Sequence, residues 1–149
     1  MKKLKKDLIT ARELKTAGKN RQAFEIYEKC YKSHPEEFSF NQKNDYAWTI
    51  YKAKIQYYTD EDDLLENARY ITELVEQLDF NKKDSCAYTA AVFKILNHFK
   101  NKQDFPSMIP WLEKLNPDLL DEKLYRKNAR FNKSHKELYF DWSSKAYYL

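Results

Sequence analysis

The sequence contains few residues that break regular secondary structure, with one glycine and four prolines among 149 residues. An all-β domain of this length would need many tight turns, and tight turns favour glycine, proline, asparagine and aspartate. The shortage of turn formers, together with long stretches of helical periodicity, predicts an all-α chain. The length is also sufficient for one compact domain with a hydrophobic core.

Features of exported and membrane proteins are lacking as well. The two cysteines, Cys30 and Cys86, fall on apolar helical positions, which indicates buried free thiols rather than a disulfide. The first ten residues, MKKLKKDLIT, are basic but lack the apolar segment of a signal peptide. No apolar run approaches the roughly 18 residues that a membrane-spanning helix needs. The sequence therefore predicts a cytoplasmic protein without a membrane segment.

Catalytic and metal-binding signatures are also absent. The three histidines, His34, His98 and His135, are far apart, and no local spacing is typical of a zinc site. A single glycine does not supply a phosphate-binding loop. The acidic clusters at 60–63 and 118–122 stand at predicted helix starts, where capping explains them without acid–base chemistry. We therefore expect no metal, no cofactor and no enzymatic activity.

Apolar residues recur every three or four positions in seven segments, which is the spacing of one buried helix face. The predicted helices cover residues 4–17, 20–34, 42–58, 64–78, 85–99, 105–115 and 136–149. A short helical turn is expected at 118–124, followed by a basic loop. The first six helices pair as antiparallel hairpins with a period of about 40 residues, which indicates an α-solenoid. We expect one domain over residues 1–149.

Local signals mark several predicted helix ends. Gly18 is expected to close the first helix in a left-handed conformation, and Pro35 to close the second. Asp104 is expected to cap the sixth helix, which Pro110 delays or kinks. The run at 134–137, Ser-His-Lys-Glu, matches a capping box ahead of the last helix.

The segment GKNRQAFEIYEKCYKSHP places small, aromatic and proline residues at fixed distances after its glycine. These residues are Gly18, Ala23, Tyr27, Cys30 and Pro35. They match the tetratricopeptide repeat (TPR) consensus, and residues 7–35 resemble one TPR motif. Small residues let two helices approach closely, and the aromatic ring fills the space between neighbouring turns. The resemblance implies a TPR-like α-solenoid that serves as a protein-interaction scaffold.

The first helix of this motif departs from the consensus. Asp7 and Thr10 occupy positions that are usually apolar. Chaperone-binding TPR domains carry a carboxylate clamp that begins with lysine and asparagine four residues apart on this helix. Leu8 and Arg12 stand at those positions here, so the resemblance predicts no clamp. Arg12 and the nearby Lys15 still offer cations to anionic groups.

A second resemblance extends over most of the chain. The segments NDYAWTIYKAKI, PWLEKLNPDLLDE and SHKELYFDWSSKAYYL resemble the N-terminal helical region of an uncharacterised family of bacterial and phage TPR-like proteins. Members of that family are usually longer and are linked to nucleic-acid conflict systems, meaning defence or counter-defence. This resemblance implies a role in phage–host conflict and supplies no catalytic residues.

Charge is distributed unevenly along the chain. The net charge is +6 over residues 1–35, −7 over residues 36–80 and +5 over residues 81–149. This order favours electrostatic recognition between parts of the chain or with partners. Solvated helix faces are the competing interpretation.

The leading functional expectation is binding of a protein partner, or self-association, through the TPR-like groove and the last helix. Exposed aromatic side chains near the end of that helix suit a protein interface. The predicted partner-binding residues are Arg12, Lys15, Trp142, Tyr147, Tyr148 and Leu149. The last helix has no closing signal, so we expect either a longer protein or an end that docks on another surface.

The alternative expectation is a nucleic-acid-associated module. Basic and aromatic residues are mixed between positions 123 and 136, a combination that supports phosphate contacts and base stacking. The candidate residues are Lys123, Arg126, Lys127, Arg130, Phe131 and Lys133. A solvated loop with Phe131 packed beneath it is the competing interpretation.

Overall fold

The computed structural model describes residues 2–78, 87–120 and 134–148. These residues form seven α-helices and two short 3-10 helices, and they contain no strand. The α-helices are α1 (Lys2–Thr16), α2 (Asn20–Ser33), α3 (Phe40–Lys54), α4 (Glu61–Leu74), α5 (Ala87–Asn101), α6 (Phe105–Leu112) and α7 (His135–Tyr148). The 3-10 helices cover Pro35–Glu37 and Pro117–Leu119. The predicted all-α chain of about seven helices is confirmed.

The chain divides into two compact units, which are Met1–Val75 (unit 1) and Glu76–Leu149 (unit 2). In unit 1 each helix from α1 to α4 packs on the next, and α1 also contacts α3. In unit 2, α6 packs on both α5 and α7. Short connections between packed neighbours give antiparallel hairpins, in agreement with the predicted stacking. A single domain over residues 1–149 stays a prediction.

The only glycine of the chain closes α1. Gly18 has a φ of 80°, in the left-handed region that glycine adopts without a Cβ penalty. Its N–H donates to the carbonyl oxygen of Lys15 at 3.0 Å. The N–H of Lys19 donates to the carbonyl oxygen of Leu14 at 2.8 Å. These two bonds define a Schellman motif, so the predicted role of Gly18 is confirmed.

The end of α5 uses the same bonding pattern without a glycine. The N–H of Gln103 donates to the carbonyl oxygen of Lys100, and the N–H of Asp104 to that of Phe99, both at 3.0 Å. Gln103 has a φ of 57° and is the one non-glycine residue with a positive φ in the described ranges. Neither glycine nor asparagine occupies this position, so a left-handed residue could not be predicted there.

Other helix boundaries differ from the predictions by a few residues. Helix α2 ends at Ser33, two residues before Pro35, as expected. Helix α3 ends at Lys54 and α4 at Leu74, each four residues earlier than predicted. Helix α6 is not delayed by Pro110, which lies inside it two residues before its end.

Side-chain caps fix the starts of four helices, including α4, which Asp60 caps. Ser39 and Gln42 form a reciprocal capping box that starts α3 at residue 40, two residues before the predicted position. The side chain of Asp104 accepts a hydrogen bond in the first turn of α6, as predicted. The hydroxyl of Ser134 accepts a bond from the backbone N–H of Glu137 at 3.1 Å, which agrees with the predicted cap of α7.

The residues of α2 that carry the TPR resemblance are buried, and so is Ala11 in the preceding helix α1. Ala11 and Ala23 are fully buried, and Tyr27 and Cys30 are nearly so. Small side chains at these positions allow the two helices to approach closely. Cys30 is a buried free thiol, as predicted, and burial raises its pKa. Cys86 lies outside the described residues.

The core of unit 1 is centred on the ring of Tyr46 in α3. Its centroid lies 5.4–6.4 Å from the centroids of five other rings. Those rings belong to Phe24, Tyr27, Tyr31, Phe38 and Tyr70. They come from α2, the link to α3, and α4, so this one side chain joins three segments of the unit.

Two aromatic residues of α3 lie outside that core. Trp48 and Tyr51 are both half-buried. The ammonium of Lys52 lies 5.1 Å from the centroid of the Trp48 ring. Because α3 contacts α1, α2 and α4, its buried face is wide and includes both Tyr46 and Ile50.

Replacing Gly18 with valine should destabilise unit 1 by about 1–2 kcal/mol, because a β-branched residue is strained at a positive φ. A Cβ atom at this position meets nothing within 4 Å, so backbone strain alone causes the loss. Urea or thermal unfolding measures it. Gly18→Asn is the matched control and should lose clearly less, since asparagine tolerates the left-handed region. Equal stability of the valine variant and the wild type would contradict this role.

Candidate functional site

A groove opens between α1 and α3 in unit 1, with a volume of about 450 Å³. Helix α1 supplies one wall from residues spaced one turn apart, α3 supplies the other, and α2 supplies the floor. The lining of this α1–α3 groove includes Lys5, Leu8, Ile9, Arg12, Tyr27 and Asp45. Arg12, predicted from the sequence to meet a partner, therefore lies on the wall of a groove.

The groove combines a buried apolar floor with one exposed aliphatic side chain. Leu8 and Tyr27 are buried, whereas Ile9 is 61% exposed. Burial, reinforced by the negative charge of Asp45, raises the pKa of Tyr27, so its hydroxyl stays protonated at neutral pH. An exposed isoleucine next to buried apolar groups gives the groove a surface that an apolar side chain of a ligand can cover.

The acidic wall of the groove is neutralised from within the chain. The Nζ atom of Lys15 lies 2.8 Å from Oδ1 of Asp45, and both side chains are largely shielded from solvent. This ion pair links α1 to α3. Lys15 was predicted to bind a partner, but in this structure its ammonium is already occupied by Asp45. Sequence reasoning missed the pair because its members are 30 positions apart.

The remaining cations of the groove belong to α1. Arg12 and Lys5 are exposed, and within the described residues neither forms an ion pair. With Asp45 held by Lys15, the groove carries an excess of positive charge. Arg12 also lines a neighbouring cavity of about 530 Å³ together with Ile9, so the two residues face the same side of α1.

The exposed face of α7 carries a second candidate surface. Phe140, Tyr147 and Tyr148 are all exposed, and Tyr148 is 86% exposed. Their spacing of i, i+7 and i+8 places them on one side of the helix. We call these three residues the α7 aromatic face. Phe140 was not among the predicted partner-binding residues, although this spacing was a signal that could have identified it.

The position of Trp142 corrects one sequence prediction. Trp142 was expected to contact a partner, but it is 3% exposed and belongs to the core of unit 2. Its ring centroid lies 5.9 Å from that of Phe93 in α5. Trp142 follows the buried Leu138 by one helical turn, so the inward face of α7 carries both residues.

Several predicted site residues lie outside the described residues. They are Leu149 and the nucleic-acid candidates Lys123, Arg126, Lys127, Arg130, Phe131 and Lys133. The nucleic-acid alternative therefore stays a prediction. Within the described ranges, no group of three or more histidine, cysteine, aspartate or glutamate side chains is placed to hold a metal ion. No helix in the same ranges is long and apolar enough to cross a membrane.

Comparisons with known proteins add no identification. No protein family, no curated protein and no solved structure matches the chain. The TPR resemblance and the link to conflict systems therefore stay predictions that depend on the residues quoted above.

His135, the first residue of α7, is a buried histidine in unit 2. Its ring centroid lies 4.3 Å from that of Phe93, and its side chain is largely removed from solvent. Burial disfavours the charged imidazolium and lowers the pKa of His135 to about 4. The helix that presents the α7 aromatic face therefore begins at a histidine that is neutral at physiological pH.

Unit 2 should lose stability as the pH falls from about 6.5 to about 4. In this window the unfolded chain binds a proton at His135 and the folded chain does not, so the free energy of unfolding rises with pH. This residue contributes a slope of up to about 1.4 kcal/mol per pH unit. Urea unfolding of the wild type and of His135→Leu at several pH values measures the difference in slope. Identical pH dependence in both proteins would contradict the assignment.

Proposed function

We propose that this protein is a non-catalytic interaction or assembly module that binds a peptide segment of a partner in the α1–α3 groove. The observation that carries the proposal is that exposed Ile9 and the cation Arg12, which forms no ion pair within the described residues, lie on the same wall. The partner segment would cover the isoleucine with an apolar side chain and place a carboxylate against the guanidinium. Lys5 adds a second cation at the same wall.

The chemistry of the groove supports binding rather than catalysis. Its one acidic side chain among the lining residues, Asp45, is held by Lys15 and is not poised to accept a proton from a ligand. The Tyr27 hydroxyl keeps its proton, because burial raises its pKa. What remains accessible is apolar surface, uncharged polar side chains from the start of α3 and fixed positive charge, which are properties of a recognition surface.

The α7 aromatic face supports a second kind of interaction, in which the protein assembles with another chain. Exposed aromatic residues on one helix face suit a protein interface, because they bury a large area with few rotatable bonds. Phe140, Tyr147 and Tyr148 would then contact a second copy of the chain or another protein.

Selection from a random peptide library tests the α1–α3 groove. We expect wild-type protein to enrich peptides that share an acidic residue near an apolar one. Arg12→Glu should weaken their binding by about ten-fold or more, since loss of a charge-assisted hydrogen bond costs roughly 1.5–3 kcal/mol. Ile9→Ser should weaken it through lost apolar contact.

Lys29→Glu is the matched control for Arg12→Glu, because Lys29 is an exposed cation of α2 that lines none of the cavities described here. It should change the affinity less than two-fold, apart from a general effect of net charge. Enrichment of no common motif, or equal loss in the Arg12 and Lys29 variants, would refute binding in this groove.

The mass in solution tests assembly through the α7 aromatic face. Over a concentration series reaching about 100 μM, we expect the mass to rise above that of one chain. Replacing Phe140, Tyr147 and Tyr148 with serine should abolish the rise. Tyr57→Ser is the control, because Tyr57 is an equally exposed aromatic residue of unit 1, at 82% exposure. A wild type that stays monomeric over the series would refute self-association.

A further inference from the structure

Unit 1 contains a further cavity, which is lined in part by rings of the Tyr46 cluster. It has a volume of about 600 Å³ and lies between α2, α3 and α4. We call it the α2–α4 cleft. Its apolar lining is mainly aromatic and comes from Phe24, Tyr46, Ile50 and Tyr70. Tyr70 is 38% exposed, so its ring forms an accessible edge of the cleft.

Two tyrosine hydroxyls meet in this cleft. The hydroxyl oxygens of Tyr46 and Tyr70 lie 3.2 Å apart, and only one of their two protons can lie between them. The other proton and the remaining lone pairs have no further hydrogen-bond partner among the described residues. Burial, with the added negative charge of Glu28, raises the pKa of both tyrosines, so both hydroxyls stay protonated. Glu28 therefore lies within electrostatic range of the pair.

The wall formed by α4 is strongly acidic. This helix carries five acidic residues and one basic residue, Arg69. Three of the acidic residues, Asp63, Glu66 and Glu73, line the cleft together with Arg69, and Glu28 lines it from α2. Carboxylates above an aromatic floor are the combination that recognises an organic cation, through ion pairing and cation–π contact.

Two lysines, Lys32 and Lys54, also line the cleft and contact its acidic and aromatic groups. With Arg69 they make three cations against four carboxylates, so the lining keeps an excess of one negative charge. The Nζ atom of Lys54 lies 5.6 Å from the centroid of the Phe24 ring. The Nζ atom of Lys32 lies 3.8 Å from Oε1 of Glu28, and the side chain of Lys32 is 73% exposed. The Lys32–Glu28 contact is long and solvent-exposed, and therefore weak, so a ligand with better geometry can replace it.

We propose that the α2–α4 cleft binds an arginine side chain of a basic peptide segment in a partner protein. The planar guanidinium would lie on the Tyr70 ring and pair with Glu28 and Glu73. Arginine is favoured over lysine because its flat cation both stacks on aromatic rings and forms two parallel hydrogen bonds with a carboxylate. The free tyrosine hydroxyl proton can be donated to a carbonyl oxygen of the bound segment.

This inference is independent of the α1–α3 groove, which takes acidic rather than basic segments and uses different residues. The two surfaces have opposite charge requirements, so they can be tested separately on the same protein. The Arg12→Glu variant should leave binding in the α2–α4 cleft intact.

Titration with labelled synthetic peptides tests the proposal. The probe is a glycine–serine peptide with spaced arginines, compared with the same peptide carrying citrulline, which has the shape of arginine without the charge. We expect the arginine peptide to bind and the citrulline peptide to bind at least about ten-fold more weakly. A lysine peptide should bind with intermediate affinity. Equal binding of the arginine and citrulline peptides, or no binding at about 1 mM, would overturn the proposal.

Matched variants separate a site from general charge attraction. Glu28→Gln and Glu73→Gln should each weaken the arginine peptide by several-fold, and their combination by more than about ten-fold. Glu25→Gln removes the same charge from an exposed position of α2 outside the cleft and should have little effect. Tyr70→Phe keeps the ring and should lower affinity by a smaller factor. Equal losses in the Glu25, Glu28 and Glu73 variants would indicate attraction without a site and would also overturn the proposal.

Discussion

The packing of aromatic rings around Tyr46 is the constraint on which unit 1 depends. Tyr46 is almost fully buried and touches rings from α2, from the link after it and from α4. Aromatic side chains bury large areas, and their tilted and edge-on contacts are geometrically selective. The cluster therefore sets how far α2 and α4 stand from α3. Replacing any one of these aromatic side chains with a smaller one would leave a cavity bordered by the other two segments.

The same cluster connects the two surfaces of unit 1 that are proposed to bind partners. Tyr27 belongs to the floor of the α1–α3 groove, Tyr70 belongs to the edge of the α2–α4 cleft, and both rings contact Tyr46. The charges of the two surfaces follow from the helices that border them. Helix α1 is rich in lysine, and its Arg12 forms no ion pair in the part of the chain that the structure describes, whereas α4 is rich in carboxylates. One hydrophobic centre thus supports a basic surface and an acidic surface in about 75 residues.

The sequence predicted best what depends on near neighbours in the chain. Gly18 and the period of apolar residues located the α1–α2 hairpin, because helix ends and helix faces are set by residues within one or two turns. Contacts between residues that are far apart in the sequence could not be predicted in this way. The Lys15–Asp45 pair and the burial of Trp142 depend on which helices pack together. Tyr46 was missed because α3 is covered from three directions, and a helix buried on several sides loses the simple stripe that reveals one buried face.

The distribution of the three tryptophans has a spectroscopic consequence. Trp48 belongs to unit 1 and is half-exposed beneath Lys52, whereas Trp111 and Trp142 belong to unit 2 and are almost fully buried. Indole emission shifts to longer wavelength when the ring is exposed to water. In a Trp48→Phe protein the emission would come from unit 2 alone, and a protein that retains only Trp48 would report on unit 1. The chain thus carries its own optical labels for following the two halves separately during unfolding or ligand binding.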